Sequence, residues 1–506
     1  MKTIHLSVCF AWSLIKRIIR FINFIRSGSE TRNYRSPQTI NPDTAIALHS
    51  QDLEPHNDCP TPPRRLTTMF CSRIIATQTL NVFLTMVGAG VVALPLAFRA
   101  ATLYVGCLTL FGAGMACVIS MHTLTWLARR TLVQKKRGLL NNNPITYSPL
   151  PEDHQSDRQP PPPPADTSIS SYDEICDTYL PAWGRILGQT TMFVLLFFVL
   201  ALFVDVAHDS LSSTFHSLTS GAGYPLRGSI CAVMCLFSIP TKLESLKYTS
   251  MFGFVSLSFL LGVIVYRCDQ HMHRPNWVLP THVPPVSFAG CSFATTVMLG
   301  AFAAAFNAVA AQAELPTDMQ VQGYGSLIPL VAAGMALVFY VLFGITGYVA
   351  LDGDPPRDIL TGFSNQDALM SGARIAICAV SVFKAPLMAN PLKAMIAHRL
   401  PCPLSSVGLT PLLYIVVFGI SSGISDPSTV FGYVSAVGVN LTMFVIPGLC
   451  LRAVGQRAGQ THWVVYGWLM LLFGVGGMGV GLFSTIQYKP TSLVVNNATS
   501  PSSSLL

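Results

Sequence analysis

Charged side chains are scarce in this chain. Only 11% of its 506 residues are Asp, Glu, Lys or Arg, whereas 51% are hydrophobic, and the mean hydropathy is +0.50. A soluble globular protein carries about 25% charged residues, so the composition excludes that class. Apolar runs of roughly 18 or more residues recur along most of the length. The sequence therefore predicts an all-α protein that crosses the membrane many times.

The residue patterns of common active sites are also lacking. The thirteen cysteines include no Cys-x-x-Cys pair, which argues against structural zinc and redox chemistry. Acids within or beside the apolar runs are limited to Asp205, Glu314 and Asp426, of which Asp426 is interpreted as a helix cap or a solvated interfacial residue. A membrane-embedded enzyme would need paired acids, a metal-ligand cluster or a nucleophile with its base. We therefore expect no enzyme, no cofactor and no bound metal.

About eleven spans are predicted, and the fourth, ninth and tenth are the least sharply defined. They cover residues 75–98, 102–128, 186–208, 226–243, 247–267, 288–313, 326–351, 368–392, 409–426, 429–451 and 462–486. The predicted organisation is an N-terminal tail (1–74), a transmembrane domain (75–486) with a proline-rich inner loop (129–185), and a C-terminal tail (487–506). Cys268 and Cys291 flank one loop and either pair or remain separate thiols.

Most of the 31 Lys and Arg residues fall in segments that would share one side of the membrane with the N-terminus. Because cytoplasmic loops carry an excess of such residues, we predict a cytoplasmic N-terminus and an extracytoplasmic or lumenal C-terminus. The sequon at Asn497 would then be open to glycosylation. The sequence leaves open whether the plasma membrane or an endolysosomal or vacuolar membrane holds the protein.

The first span is interrupted. Gly88-Ala89-Gly90 and Pro95 fall within the apolar stretch Thr79–Arg99. Because every backbone polar group in hydrocarbon needs a partner, a helix that breaks there commonly lines a cavity in which a bound solute completes the hydrogen bonding. The alternative is an unbroken glycine-rich helix packed closely on a neighbour.

Two further spans carry unusual residues. In the sixth, Phe302 and three alanines precede Asn307, a pattern that suits either close helix packing or a cavity lining with one hydrogen-bonding group. In the eighth, Lys384 lies near the middle, followed by Pro386 and Pro391. A charge at that depth is unfavourable unless it is paired or lies in a wet cavity, so a functional role is favoured over a structural ion pair.

These segments resemble motifs of the amino acid/auxin permease family, which includes sodium-coupled and proton-coupled amino acid transporters. The matching positions are Asn81, Gly88, Gly90, Leu94 and Pro95 in the first span, Ser171–Glu174 before the third, Phe302, Glu314 and Leu315 in the sixth, Asp358–Leu360 in an outer loop, and Pro386–Lys393 in the eighth. Leu84 departs from the pattern, which has a second Asn there. The resemblance extends over about residues 75–485.

The resemblance implies a LeuT-like fold with a 5+5 inverted repeat and broken helices 1 and 6. It also implies a substrate site, in which the amides of Gly88–Val91 would hold the substrate carboxylate and Asn307 the ammonium, while Phe197 and Phe198 would pack against the side chain. The predicted substrate-binding residues are Asn81, Gly88, Ala89, Gly90, Val91, Phe302, Ala305 and Asn307.

Lys384 and Glu314 are the predicted coupling residues. Lys384 falls where sodium-coupled members carry a hydroxyl residue near the ion, so its ammonium is predicted to take the cation's place. Transport would be sodium-independent, either proton-coupled or facilitative, and no mid-span acid indicates a cationic substrate. The predicted partners are a neutral amino acid, protons and the lipid bilayer, with no nucleic acid. An amino acid sensor on the same scaffold remains the main alternative, because the long tail and proline-rich loop suit regulation.

Overall fold

The computed structural model describes residues 64–141, 172–215, 223–239, 243–275, 277, 287–397, 406–424 and 426–487. These residues are almost entirely helical. The α-helices are α1 (Arg64–Met86), α2 (Leu94–Ala101), α3 (Leu103–Asn141), α4 (Tyr172–Tyr179), α5 (Ala182–Thr214), α6 (Gly223–Ser238), α7 (Leu243–Met272), α8 (Phe288–Ala301), α9 (Ala305–Ala313), α10 (Thr317–Gln322), α11 (Leu327–Ala350), α12 (Ala368–Ala397), α13 (Ser406–Gly423), α14 (Pro427–Tyr433), α15 (Ile446–Arg457) and α16 (Thr461–Gln487).

Helices occupy all eleven predicted span positions. Within the described ranges, eight helical segments are long and apolar enough to cross a membrane, or nine when the bent pair α1 and α2 counts as one. At the fourth and ninth positions, α6 has 16 residues and α13 has 18. The helical class is confirmed, whereas the count of eleven crossings and the inverted repeat stay predictions.

The predicted interruption of the first span is confirmed. Helix α1 ends at Met86, Gly88 is extended, and a 3-10 turn over Ala89–Ala93 leads into α2, whose axis is bent by 51° from that of α1. Pro95 stands in the first turn of α2, where its missing N–H leaves no hydrogen bond unmade. The chain therefore changes direction within the first span.

The sixth span is broken as well. Helix α8 ends at Ala301 and α9 begins at Ala305, so three residues separate them. Helix α8 packs against α2 and α3, while α12 packs against both α5 and α7. This arrangement places the two breaks next to the middle of α5 and α12.

The structure differs from the predicted inner loop 129–185 at both of its ends. Helix α3 continues to Asn141, and the short helix α4 precedes α5. Leu132 is buried, so α3 keeps an apolar face past the predicted end of the second span at 128. The proline run, the N-terminal tail up to residue 63 and the sequon at Asn497 lie outside the described residues. Cys268 and Cys291 are separate, unpaired thiols.

Two π-helical turns, Val434–Val439 and Leu441–Val445, join α14 to α15 in the tenth span. A π turn leaves carbonyl groups without the usual i+4 partner. Two of these carbonyls are bound by hydroxyls from other elements: Tyr172 donates to the Thr442 carbonyl at 2.8 Å, and Ser120 donates to that of Met443. The wide turns are thus fixed from both α4 and α3.

Candidate functional site

A cavity of about 60 Å³ lies beside the two helix breaks. It is lined by Thr85, Met86, Gly88 and Gly90 of the first span, Leu195, Val199 and Phe203 of α5, Gly300, Ala301, Ala303 and Phe306 of the sixth span, Lys384 and Met388 of α12, and Phe431, Val434, Ser435 and Val439 of the tenth span. Most of these side chains are apolar and a few are polar. That composition is typical of a small-molecule site.

Lys384 connects α12 to the broken end of α1. Its ammonium donates to the carbonyl oxygens of Val87, at 2.9 Å, and Thr85, at 3.2 Å, and lies 5.7 Å from the centre of the Phe203 ring. The last carbonyls of a helix have no intrahelical partner and carry the negative end of its dipole. Such a charge is stable in the interior because hydrogen bonds replace its hydration.

The surroundings of Lys384 test the alternative interpretation, in which this residue belongs to a structural ion pair. The side chain is only 1% exposed. In the part of the chain that the structure describes, no Asp or Glu forms an ion pair with it. Backbone carbonyls and an aromatic face therefore compensate this charge.

Gly88 and Gly90 leave room for groups from other helices. A Cβ atom on Gly88 would lie 2.6 Å from the Lys384 ammonium, and one on Gly90 would lie 2.7 Å from the Phe431 ring. Val91 donates its amide to the Gly88 carbonyl at 3.0 Å, which closes the 3-10 turn. The amides at the start of such a turn have no partner within it. Gly88 and Gly90 are thus the predicted first-span residues that reach the cavity.

Asn81, Asn307 and Glu314 do not line the cavity. They belong to a polar network on the side of the cavity from which α1 approaches it. This side is called here the inner side. Asn307 donates to the Thr85 hydroxyl at 2.6 Å, Asn81 donates to the Gln78 side chain at 3.4 Å, and Gln78 donates to the Glu314 carboxylate. This network joins α1 to α9 on that side of the cavity, and it is called here the inner network or inner closure.

Phe302, Ala305 and Val91 are buried but do not line the cavity either. The Phe302 ring packs edge-on against Tyr340 of α11, with ring centres 5.0 Å apart. Phe302 directly follows the end of α8, and there the break turns its side chain toward α11. Ala303 and Phe306 contribute the cavity surface of the sixth span instead.

The cavity wall of α5 also differs from the predicted pair Phe197 and Phe198. Phe197 stacks on Phe193 with ring centres 4.7 Å apart. The cavity is lined instead by Leu195, Val199 and Phe203. These residues follow each other at a spacing of four, so they share one face of the helix, and Phe197 and Phe198 lie off that face.

The tenth span contributes residues that sequence reasoning missed, Phe431 and Ser435 among them. Both lie in an apolar segment without a charge, and the proline within this span, Pro447, lies well beyond them. The register of the π turns also cannot be derived from an α-helical period. No signal in the sequence would have identified these two residues.

Ion pairs join elements on the opposite, outer side of the cavity, and they are called here the outer closure. Arg357, in the loop before α12, pairs with Asp426, and Arg99 of α2 pairs with Asp354 at 2.5 Å. Asp426 also caps α14, because its carboxylate accepts from the Ser428 amide at 3.2 Å, which confirms its interpretation as a cap.

Replacing Arg357 with Gln is expected to loosen the outer closure. The pair with Asp426 is partly exposed, and pairs of this kind contribute up to about 1 kcal/mol. Hydrogen exchange of residues 427–433 should therefore accelerate by up to about fivefold. The control is Arg267→Gln, which breaks the pair with Asp367 elsewhere on the outer side. Equal exchange rates at residues 427–433 in the two variants would contradict the assignment of Arg357 to the outer closure.

Asp358 makes the outer loop sensitive to pH. Burial raises the pKa of this carboxyl to about 6, although the Leu360 amide, which donates to it at 2.9 Å, opposes the rise. Because the folded pKa lies above the unfolded one of about 3.9, folding takes up a proton between these values. Stability should therefore increase as the pH falls through about 6 and level off below about 4.

The expected result is a higher melting temperature at pH 5 than at pH 7, with a smaller difference in Asp358→Asn. Asp367→Asn is the matched control, since Asp367 caps the Leu369 amide in the same way, at 3.0 Å. If the melting temperature of Asp358→Asn changes with pH as much as that of the unmodified protein, Asp358 is not the source of the pH dependence.

A helical membrane protein in which two broken helices border a small cavity has the architecture of a secondary transporter. The chain belongs to a family of amino acid transporters: the family profile described as "Transmembrane amino acid transporter protein" matches residues 159–487, more than half of the chain.

Relatives of known name agree with this family. The chain is 21% identical to vacuolar amino acid transporter 5 of Schizosaccharomyces pombe over 388 residues, which cover 73% of this chain and 82% of the relative. It is 23% identical to the amino acid transporter AVT3C of Arabidopsis thaliana over 404 residues, covering 76% and 84%. The solved structure of MhsT in complex with L-phenylalanine aligns with 81% of this chain and 98% of its own, at 11% identity and a TM-score of 0.49.

Proposed function

We propose that the protein is a secondary transporter of neutral amino acids that works without sodium. The observation that carries the proposal is the position of the Lys384 ammonium, bound by the Thr85 and Val87 carbonyls at the end of α1. Carbonyl oxygens at the unwound end of a half-helix are the ligands by which such transporters hold a coupling cation. A fixed ammonium on these oxygens occupies the position of the ion and excludes it.

The neutral substrate is supported by the charges around the cavity. Lys384 is the only ionisable side chain in the described lining, and its charge is already directed at backbone carbonyls. A cationic substrate side chain would meet no carboxylate there, and an anionic one would have to draw the ammonium away from α1. The substrate carboxylate is proposed to bind the amides at Gly88 and Gly90 and the start of α2, at the positive end of that helix.

The relative from Schizosaccharomyces pombe is named a vacuolar transporter, which supports a vacuolar or related membrane for this protein. The proposed orientation puts the N-terminus in the cytoplasm, so that the inner network of Gln78, Asn81 and Glu314 closes the cytoplasmic side. Glu314 accepts a hydrogen bond from Gln78 across the two broken spans. Its proposed role in coupling is to hold this closure until the substrate is bound.

The test is uptake of a panel of labelled amino acids into vesicles that contain the purified protein. Sodium and pH gradients are imposed separately, and vesicles without protein are the control. The proposal expects uptake of neutral amino acids with no sodium requirement, driven either by a proton gradient or by the substrate gradient alone. A steep sodium requirement would contradict the role of Lys384. Ligand binding without any uptake would favour a sensor.

A further inference from the structure

Ser435 lies in the cavity wall, and its hydroxyl has no partner among the described residues. The side chain is 1% exposed, and among the residues that the structure describes no group hydrogen-bonds to its Oγ. Buried polar atoms almost always have a partner, and one that does not needs an explanation. Because Ser435 borders the cavity, a group on the bound solute can supply the missing hydrogen bond.

The neighbours of Ser435 define where its hydroxyl lies. A Cβ atom on Gly300 would be 2.1 Å from the Ser435 Oγ and 3.2 Å from the Phe431 ring, so the hydroxyl is directed at the end of α8, just before the sixth-span break. Phe431 and Val439, four residues before and after Ser435, are apolar members of the same wall. Ser435 is thus a single polar group in an apolar face.

The π turn contributes to this placement. Val434 and Ser435 are consecutive residues that both border the cavity, and both lie in the π-helical turn Val434–Val439. Such turns are rare and occur frequently at functional sites. The wide turn therefore presents both an apolar side chain and a hydroxyl to the same small volume.

We propose that the Ser435 hydroxyl binds the side chain of the transported amino acid and favours short, hydroxylated side chains over apolar ones of the same shape. This inference rests on the proposed function and extends it from neutral amino acids to a side-chain class. The substrate carboxylate is bound at the first-span break, at Gly88 and Gly90, so the wall formed by the tenth span and the end of α8 meets the side chain. A hydroxyl both donates and accepts, which suits another hydroxyl.

The size of the cavity also favours short substrate side chains. Its volume of about 60 Å³ is small for a ligand site. Leu195, Val199 and Met388 narrow it on the sides of α5 and α12. A serine or threonine side chain needs little additional space, whereas a long or aromatic side chain would have to displace these walls.

Threonine and valine provide the sharpest comparison, because they have the same shape and differ by a hydroxyl. A site that hydrogen-bonds a substrate hydroxyl discriminates against the analogue that lacks it, since its own polar group is then left unpaired. In vesicles containing the full chain, we expect uptake of threonine to be at least about tenfold more efficient than that of valine. In Ser435→Ala this ratio should fall about tenfold, mainly through slower threonine uptake.

Thr442→Val is the matched control. It removes a hydroxyl from the same span, but the Thr442 hydroxyl donates to the Gly438 carbonyl at 2.8 Å and does not border the cavity. Its ratio of threonine to valine uptake should equal that of the unmodified protein. A ratio in Ser435→Ala that also stays unchanged would overturn the inference about Ser435 while leaving the proposed function intact. If the unmodified protein takes up no amino acid at all, the proposed function itself fails.

Thermal unfolding gives a second, independent result. Without ligand, Ser435→Ala should melt at the same temperature as the unmodified protein or higher, because an unpartnered buried hydroxyl is lost. Threonine should raise the melting temperature of the unmodified protein more than that of the variant. A lower melting temperature of the ligand-free variant would contradict the inference, since it would mean that the hydroxyl already has a partner within the protein.

Discussion

Replacing Lys384 with Met is expected to reduce amino acid uptake at least about 100-fold. The substitution removes the ammonium that donates to the Thr85 and Val87 carbonyls. Hydrogen bonds to a charged group contribute about 1.5–3 kcal/mol each, and both carbonyls would remain buried without their partner. The end of α1 would also lose its link to α12 beside the cavity. The measurement is the initial rate of uptake into vesicles, corrected for the amount of folded protein.

Lys384→Thr separates the loss of a link from the loss of a cation. A threonine hydroxyl is a ligand of the kind that sodium requires, so this variant should either gain a sodium requirement or lose transport. Lys393→Met is the matched control on the same helix: Lys393 is also buried, and it donates to the Ser238 carbonyl at 2.5 Å, away from the cavity. The control should lower the melting temperature and leave ion dependence unchanged. Sodium-independent uptake at the normal rate in Lys384→Met would overturn the role given to this residue.

Replacing Gly88 with Ala is expected to reduce uptake about 10- to 100-fold. The added Cβ would lie 2.6 Å from the Lys384 ammonium and 3.8 Å from the Phe203 ring. Gly88 is extended, with φ of −123°, so alanine introduces no backbone strain. The flexible lysine can move aside, but only by giving up its hydrogen bonds to α1. The effect of the substitution thus acts through Lys384.

A double-mutant cycle tests this cause. If Gly88→Ala acts by displacing the ammonium, then it should have little further effect once Lys384 is Met, and the two losses should be far from additive. Gly112→Ala is the control, because a Cβ on Gly112 of α3 would meet nothing within 4 Å. Additive losses for Gly88 and Lys384 would show that Gly88 has a separate role, for example in direct contact with the substrate.

Lys384 and Gly88 could be predicted from the sequence for a physical reason. A charge in an apolar run and a pair of glycines in a span are both unfavourable in hydrocarbon unless a site needs them. Each therefore stands out against its neighbours without knowledge of the fold. The break at Gly88 was predicted by the same reasoning, whereas the break after Ala301 was implied only by the family resemblance.

The same reasoning does not give the correct positions of Phe302, Ala305 and Ser435 relative to the cavity. Sequence spacing gives the direction of a side chain only while the helix is regular. Beyond the break, Phe302 points to α11, and its neighbour Ala303 borders the cavity instead. Ser435 lies in a π turn, whose register differs from that of an α-helix. Its position follows from the packing of the tenth span against α8, which involves residues far apart in the sequence.

The inner and outer closures differ in how ionic strength acts on them. The outer one includes the Arg357–Asp426 pair, whose side chains are 40% and 36% exposed and are therefore screened by dissolved salt. The inner one joins the buried, neutral side chains of Gln78 and Asn81 to the single carboxylate of Glu314, so it contains no pair of opposite charges for salt to screen. Salt is therefore expected to weaken the outer closure selectively, and under the proposed orientation the ionic composition of the two compartments would bias the side on which the empty protein opens.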